Sequence, residues 1–297
     1  MILVIGGSGF VGSHVMQSAL QNNLSAAYTY RSHPLPITAP AYRVDIGQGD
    51  DLEKCIRETR PTAIIYSVVT QNWLDEKLQT EISLTGVERV IAALRKQNSP
   101  ARLIYVSTNS VFSGIDGPYP ETCPPDPSIR QDQYRFYGIG RALGEQAALE
   151  KWANTIVART AHVEGRTLSG ELNLRMAREV EVLRSGQPLQ RFCNRILSPT
   201  LVDNLAQALL EIASPDFPYR GILHLAGSQP LSNFEYSQKI ATALGCDLAN
   251  IQPDWFENTY QLPRAINNIA LDVTFTQKLL KTRLLDVNEL LKSVLEI

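Results

Sequence analysis

The chain has 297 residues and a mass of 33.0 kDa, about twice a typical domain length, so it accommodates one large α/β domain or two coupled ones. Hydrophobic residues make up 44% and charged residues 20%, near the globular average, which excludes a disordered or collagen-like protein. A formal charge of −2 gives no electrostatic reason to expect nucleic acid or an acidic membrane as partner, and no apolar run approaches the roughly 18 residues that span a bilayer.

Met1-Ile2-Leu3-Val4-Ile5 lacks the basic region and longer apolar stretch of a secretory signal and runs straight into Gly6, so Ile2–Ile5 reads as a strand. Further strands are expected at Ala26–Tyr30, Tyr42–Val44, Ala63–Val69, Arg102–Ser107 and Thr155–Arg159. Helical patterns lie between them at Phe10–Gln21, Asp50–Thr59, Asp75–Gln97 and Tyr134–Trp152. Apolar strands each followed by a helix predict a parallel sheet buried on both faces, a Rossmann-type doubly wound α/β fold. The Pro-rich stretch Gly117–Pro127 reads as a long loop after a strand, where an α/β enzyme keeps its active site.

After Arg159 the pattern is less regular, and 13 of the 20 arginines fall at or beyond Arg130. A helical run at Leu201–Ile212 and a strand-like Gly221–Ala226 are expected to rejoin the main sheet. Glu164–Arg191 and Gly227–Asn268 are then left to form a smaller C-terminal cap. The expected division is a first domain over 1–160, with about 195–226 returning to it, and a second region over 161–297. Cys55, Cys123, Cys193 and Cys246 lie far apart with no Cys-x-x-Cys, and His14, His33, His162 and His224 have no metal-ligand or Ser-His-Asp spacing. Neither a metal site nor a disulfide framework is expected, and a reducing cytoplasm is the default setting.

Gly6-Gly7-Ser8-Gly9-Phe10-Val11-Gly12 follows the first strand and opens the first helix. It can be read as G-x-G-x-x-G (Gly7, Gly9, Gly12) or G-x-x-G-x-x-G (Gly6, Gly9, Gly12). Such a turn brings the backbone close to a pyrophosphate, and the helix start at Phe10, Val11 and Gly12 offers N–H groups and a partial positive charge to it. The first domain is therefore expected to bind a dinucleotide. An NAD site usually places an acid about 20 residues past the loop, to accept from a ribose hydroxyl. Here the second strand ends in Tyr30-Arg31-Ser32 instead. A guanidinium and a hydroxyl suit a 2′-phosphate, so NADP(H) is favoured, with NAD(H) as the alternative and an ordinary surface arginine as the plain reading of Arg31. Asp45-Ile46 either flanks the adenine or caps the next helix.

The fifth strand ends in Ser107-Thr108-Asn109-Ser110-Val111-Phe112-Ser113-Gly114, and Tyr137-Gly138-Ile139-Gly140-Arg141 with Gly144-Glu145 lies on a later helix. With the glycine loop, Arg159-Thr160 and Gly221-Ile222-Leu223-His224-Leu225-Ala226-Gly227, these segments resemble the extended short-chain dehydrogenase/reductase superfamily. More narrowly, the chain resembles the dTDP-4-dehydrorhamnose reductase family over nearly its whole length. The resemblance implies hydride transfer between NADP(H) and a sugar C4 carbonyl. Tyr137 would be the general acid, Thr108 a hydroxyl donor to the carbonyl, and residue 141 the basic group four positions after the tyrosine. Residues i and i+4 share a helix face, and a cation there lowers a phenol pKa toward working pH.

Three features depart from the family. Its lysine is Arg141 here, which keeps the charge but cannot lose its proton, so a relay through a neutral amine is broken. The stretch Asp126–Phe136 is long. Tyr66-Ser67-Val68-Val69-Thr70 replaces a small Asn/Ala-rich segment beside the cofactor, putting Val68 against it with bulk that can crowd it. Plainer readings place Tyr137 in helix packing, make Thr108 a strand terminus and pair Arg141 with Glu145. Arg159, Arg166, Arg175, Arg191, Arg195 and Arg264 are candidates for a substrate diphosphate or for ion pairs, and His224 reads as a packed strand residue.

The leading expectation is a reductase of a 4-keto nucleotide-sugar. The alternatives are a cofactor-binding regulatory or assembly subunit, as the methionine adenosyltransferase β subunit of the same family exemplifies, and a nucleotide-sugar epimerase. Dehydratase chemistry is disfavoured, because that branch puts acids after the threonine and Asn109-Ser110 follow here. The resemblance also implies a homodimer.

Overall fold

Apolar runs at Ile2–Ile5 (β1), Ala26–Tyr30 (β2), Ala41–Arg43 (β3), Ala63–Tyr66 (β4), Arg102–Thr108 (β5) and Thr155–Thr160 (β6) lie side by side in one sheet. The structure, a computed structural model, describes every residue except 48, 130, 131, 256–267 and 297. After β6 come the short strands Val163–Glu164 (β7), Leu189–Phe192 (β8), Ile196–Leu197 (β9) and Thr200–Leu201 (β10). Gly221–His224 (β11) returns to the main sheet beside β6, and Leu231–Ser232 (β12) and Ile251–Asp254 (β13) follow. The seven-stranded sheet has the order β3-β2-β1-β4-β5-β6-β11, and each of its pairings is parallel. Strand order reverses between β1 and β4, so the carboxyl ends of these two strands flank a crevice. The fold is a Rossmann-type, doubly wound α/β fold.

The helices are Phe10–Gln21 (α1), Gly49–Thr59 (α2), Glu76–Thr80 (α3), Gly86–Lys96 (α4), Arg135–Lys151 (α5), Leu174–Ser185 (α6), Val202–Ala213 (α7), Asn233–Leu244 (α8), Thr274–Leu279 (α9) and Val287–Leu295 (α10). Successive strand residues point to opposite faces, and both faces are covered. Val4, Ile65, Ile104 and Val106 pack with Val15 and Met16 of α1 and with Leu205 and Leu209 of α7. Leu3, Ile5, Ile64 and Leu103 pack on the other side with Ile56 of α2, Val87 and Ile91 of α4 and Ala147 of α5. A third apolar cluster joins Met176 and Val180 of α6, Ile240 of α8 and Leu290, Leu291 and Val294 of α10, away from the sheet.

Two elements differ from the sequence expectation near the crevice. The strand expected over Ala63–Val69 stops at Tyr66, because the chain leaves the sheet there to line the crevice. The single helix expected over Asp75–Gln97 is α3, a π-helical turn at Glu81–Thr85, and α4. The wider π turn changes which carbonyls are free for side-chain donors. Ile82 O accepts from the Tyr66 hydroxyl at 2.5 Å, and Ser83 O accepts from the Tyr105 hydroxyl at 3.4 Å. All four cysteines are free thiols, and among the described residues no helix is long and apolar enough to cross a membrane.

Candidate active site

A cleft of about 710 Å³ opens at the switch point, walled by Gly6, Ser8 and Gly9 after β1, Thr29–Ser32 at and beyond the end of β2, Val44–Ile46 after β3 and Ser67–Gln71 after β4. Gly6 has φ +82°, the left-handed region that favours glycine, and a Cβ there would come within 3.0 Å of Val68 N. Its N–H donates to the Thr29 hydroxyl at 3.0 Å, which ties the loop to β2. Gly12 is needed for closeness, since its Cβ would lie 2.4 Å from Gly6 O. Gly9 is the N-cap of α1 and makes no side-chain cap bond, leaving the N–H groups of the first turn to a ligand. Phe10, Val11 and Gly12 supply that first turn and do not themselves wall the cleft.

One end of the cleft is polar and basic. Arg31 and Ser32 wall it with exposed side chains, and His33, which sequence reasoning passed over, stands beside them. Asp45 and Ile46 wall the same side. The Asp45 carboxylate accepts from Gly47 N at 3.0 Å, and the Ile46 carbonyl accepts from the Arg89 guanidinium. Glu81 and Ile82 of the π turn form a further part of the wall. They had no sequence signal, because a π turn has no residue signature inside an otherwise helical pattern.

The other end is organised around Arg141. The residue is 2% exposed, and its guanidinium donates to Val106 O at 3.2 Å and to Val68 O in the cleft wall. Burial opposes the charge, but the Tyr105, Tyr137 and Tyr66 phenols more than offset it and hold the pKa above its ordinary value. Arg141 is thus a fixed cation. Its Cζ lies 5.3 Å from the Tyr137 ring centroid, while Trp73 packs edge-on against that ring at 5.1 Å. Thr108 ends β5, and its Oγ1 accepts from Ser110 N at 3.1 Å, so it caps the turn Asn109–Val111. Gly138 brings the helix and that turn together, since a Cβ on it would lie 2.2 Å from Ser110 O. Thr108, Tyr137 and Arg141 do not wall the cleft themselves; Arg141 adjoins it through Val68.

Of the plainer readings, the Arg141–Glu145 pair is not formed, whereas the ion-paired arginines and the packed His224 are found. Glu145 does not pair with Arg141. It binds Arg159, with Nη2 to Oε2 at 2.8 Å and exposures of 2% and 0%, and accepts from the Ser107 hydroxyl at 2.5 Å. Tyr66 does not crowd the cleft either, because it is fully buried and stacks on Tyr105 at 5.7 Å. Gly86 makes room for it, since a Cβ there would meet the Tyr66 hydroxyl at 2.1 Å. Arg166 binds Val294 O and Gly170 O, Arg175 binds Glu164 and Arg191 binds Glu179. Arg264 and part of Asp126–Phe136 lie outside the described residues. His224 is fully buried and donates from Nδ1 to Asp272 O at 3.0 Å.

The chain resembles proteins of known activity along most of its length. It is 28% identical over 266 residues to a dTDP-4-dehydrorhamnose reductase from Mycobacterium tuberculosis, covering 89% of this chain and 81% of that protein. It is 24% identical over 261 residues to methionine adenosyltransferase 2 subunit beta from Danio rerio, covering 85% and 76%. The crystal structure of a dTDP-4-dehydrorhamnose reductase from Bacillus anthracis in complex with NADP shares the fold, with a TM-score of 0.79, 20% identity and coverage of 100% and 99%. Residues 1–297 match the family described as RmlD substrate binding domain, and the chain belongs to that family.

Proposed function

We propose that this protein is an NADPH-dependent reductase of a 4-keto nucleotide-sugar, of the dTDP-4-dehydrorhamnose type. The observation that carries the reading is the fixed cation Arg141, which joins the Val68 wall of a dinucleotide-sized cleft to the Tyr137 ring one helical turn away. The likeness to the Mycobacterium tuberculosis reductase supports the substrate class.

The cleft fits the cofactor on its own terms. The glycine turn and the bare N-cap at Gly9 suit a pyrophosphate. Arg31 and Ser32 suit a ribose 2′-phosphate, and Asp45 and Ile46 stand where an adenine edge needs a polar and an apolar neighbour. NADH would use the same cleft without the Arg31 contact. When bound, the nicotinamide supplies the hydride. Tyr137 gives its phenolic proton to the carbonyl oxygen of the substrate as negative charge builds there, and the Thr108 hydroxyl donates to the same oxygen. Arg141 holds a positive charge near the phenol throughout, which favours the phenolate left behind. Because Arg141 cannot deprotonate, the Tyr137 phenolate regains its proton from solvent and not through residue 141. A soluble sugar nucleotide as substrate goes with a cytoplasmic setting.

The test is isotopic. NADPH carrying deuterium at the transferable C4 position, incubated with dTDP-4-dehydrorhamnose, is expected to leave deuterium at C4 of the sugar. Label confined to the cofactor would reject the reductase. One observation favours a second reading, a cofactor-binding regulatory subunit: two Arg141 nitrogens are engaged by main-chain carbonyls, and the chain resembles methionine adenosyltransferase 2 subunit beta. Tight NADPH binding with no turnover of any 4-keto sugar would support that reading.

A further inference from the structure

Thr108 and Asn109 are both buried, and their side chains share a hydrogen bond. A threonine hydroxyl carries one proton and two lone pairs. At Thr108 one lone pair accepts from Ser110 N at 3.1 Å, and the proton is directed at Asn109 Oδ1, 3.3 Å away. The lone pair that is left can accept a hydrogen bond but cannot donate one. A substrate ketone needs the reverse, since its oxygen only accepts. To serve that oxygen the Thr108 hydroxyl must turn away from Asn109. The Asn109 bond is longer than an ordinary O–H···O bond, so the exchange is easy.

Asn109 itself is held in one orientation. Its Nδ2 donates to Ile269 O at 2.9 Å, which leaves Oδ1, and not the amino group, on the Thr108 side. The Ile269 segment is clamped in turn. Ile269 N donates to Ile196 O of β9 at 3.2 Å, and Asn268 donates from its backbone N to Gly114 O at 2.8 Å and from Nδ2 to Gly117 O at 2.6 Å. Leu197, the other residue of β9, packs in the third apolar cluster. The Asn109 amide thus ties the turn after β5 to the C-terminal cap through a single residue, Ile269.

We infer that Asn109 is a positioning residue that lets Thr108 serve both the ketone and the alcohol of the reduction. While the ketone is bound, the Thr108 hydroxyl donates to its oxygen. Once hydride and the Tyr137 proton have made the C4 alcohol, that alcohol donates to Thr108 Oγ1, and the Thr108 proton turns to Asn109 Oδ1. Only hydrogen bonds change in this exchange, and the proton stays on Thr108. The inference rests on the nucleotide-sugar reading and deepens it.

Calorimetry on the full chain saturated with NADP⁺, with dTDP-rhamnose and with dTDP, tests it as a double-mutant cycle. Asn109→Ala and Thr108→Val are each expected to bind dTDP-rhamnose about tenfold more weakly, with dTDP unchanged. The double variant is expected to stay within about threefold of Thr108→Val, because Asn109 acts only through the Thr108 hydroxyl. Asn109→Asp, nearly isosteric, decides the matter even where Asn109→Ala does not fold. Its carboxylate grips the Thr108 proton more firmly than an amide oxygen does, so turnover of dTDP-4-dehydrorhamnose is expected to slow about tenfold while dTDP-rhamnose binds within about threefold of wild type or more tightly.

Three results would each overturn the inference alone, given wild-type binding of dTDP-rhamnose. One is a folded Asn109→Ala that binds it as wild type does. Another is a loss from Asn109→Ala that is equally large in the Thr108→Val background. The third is an Asn109→Asp whose turnover and product affinity fall together. If wild type binds NADP⁺ but neither dTDP compound, the nucleotide-sugar reading falls and takes this inference with it.

Discussion

Arg141 and Tyr137 sit one turn apart on α5, with the guanidinium carbon 5.3 Å from the phenol ring centroid and two of its nitrogens bound to Val68 O and Val106 O. One side chain therefore holds a cleft wall, ties α5 to β5 and keeps a positive charge beside the proposed acid.

Replacing Arg141 separates these roles. Arg141→Lys keeps the charge, but its single ammonium cannot hold both carbonyls in the guanidinium's geometry. NADPH oxidation is expected to stay within about tenfold of wild type, while urea unfolding shows a loss of about 1–2 kcal/mol. Arg141→Met removes the charge, and kcat is expected to fall at least about 100-fold. An active Arg141→Met would remove the cation from the mechanism. A tenfold gain in Arg141→Lys would show instead that the site lacks a dissociable proton.

The buried pair Glu145–Arg159 is expected to dominate the stability of the α5–β6 contact. Glu145→Gln leaves the Arg159 guanidinium at 0% exposure with no anion, a change that typically costs about 3–5 kcal/mol. Glu145→Leu combined with Arg159→Met should lose less than Glu145→Gln alone, because no charge is left buried. Urea denaturation measures both, and a loss under about 1 kcal/mol in Glu145→Gln would contradict the pairing.

How much of this could be read from the residues depended on range. The glycine turn was legible because its geometry is local: Ile2–Ile5, Gly6–Gly12 and the bounds of α1 at Phe10–Gln21 follow from adjacent residues. Tyr137 and Arg141 share a helix, so their spacing already placed them on one face. The pairing of Glu145 was not legible, since its partner Arg159 comes from the next strand and competes with an equally plausible i−4 arginine. That Tyr66 turns away from the cleft was not legible, because only the fold shows Gly86 and the Ile82 carbonyl placed to receive its hydroxyl.

His224 sets an acid limit. Burial, reinforced by the Arg159 charge, pushes its pKa down from 6.5 to about 3. The unfolded chain then binds the proton more readily than the folded one, so stability falls as pH drops from 6.5 toward 3 and is unaffected above that window. Between pH 6.5 and 4 this group accounts for a loss of about 3 kcal/mol. His224→Gln keeps a donor for Asp272 O without titrating, and its unfolding free energy should decline correspondingly less over the same range. Parallel pH profiles for the two proteins would rule this out.

Cofactor choice is expected to turn on Arg31. Arg31→Ala should weaken NADPH by about tenfold while leaving NADH unchanged, since only NADPH carries the 2′-phosphate that a guanidinium grips with two donors. Fluorescence titration of both coenzymes reads this directly. Equal losses for the two would assign Arg31 to the shared part of the nucleotide.

The role of the Tyr137 phenol is tested by Tyr137→Phe in NADPH oxidation with dTDP-4-dehydrorhamnose, alongside the variant's NADPH affinity. The phenol as proton donor requires kcat to fall by at least about 100-fold with NADPH affinity preserved. Turnover within about threefold of wild type would show that the proton comes from another group and that Tyr137 with Arg141 is not the acid of this site.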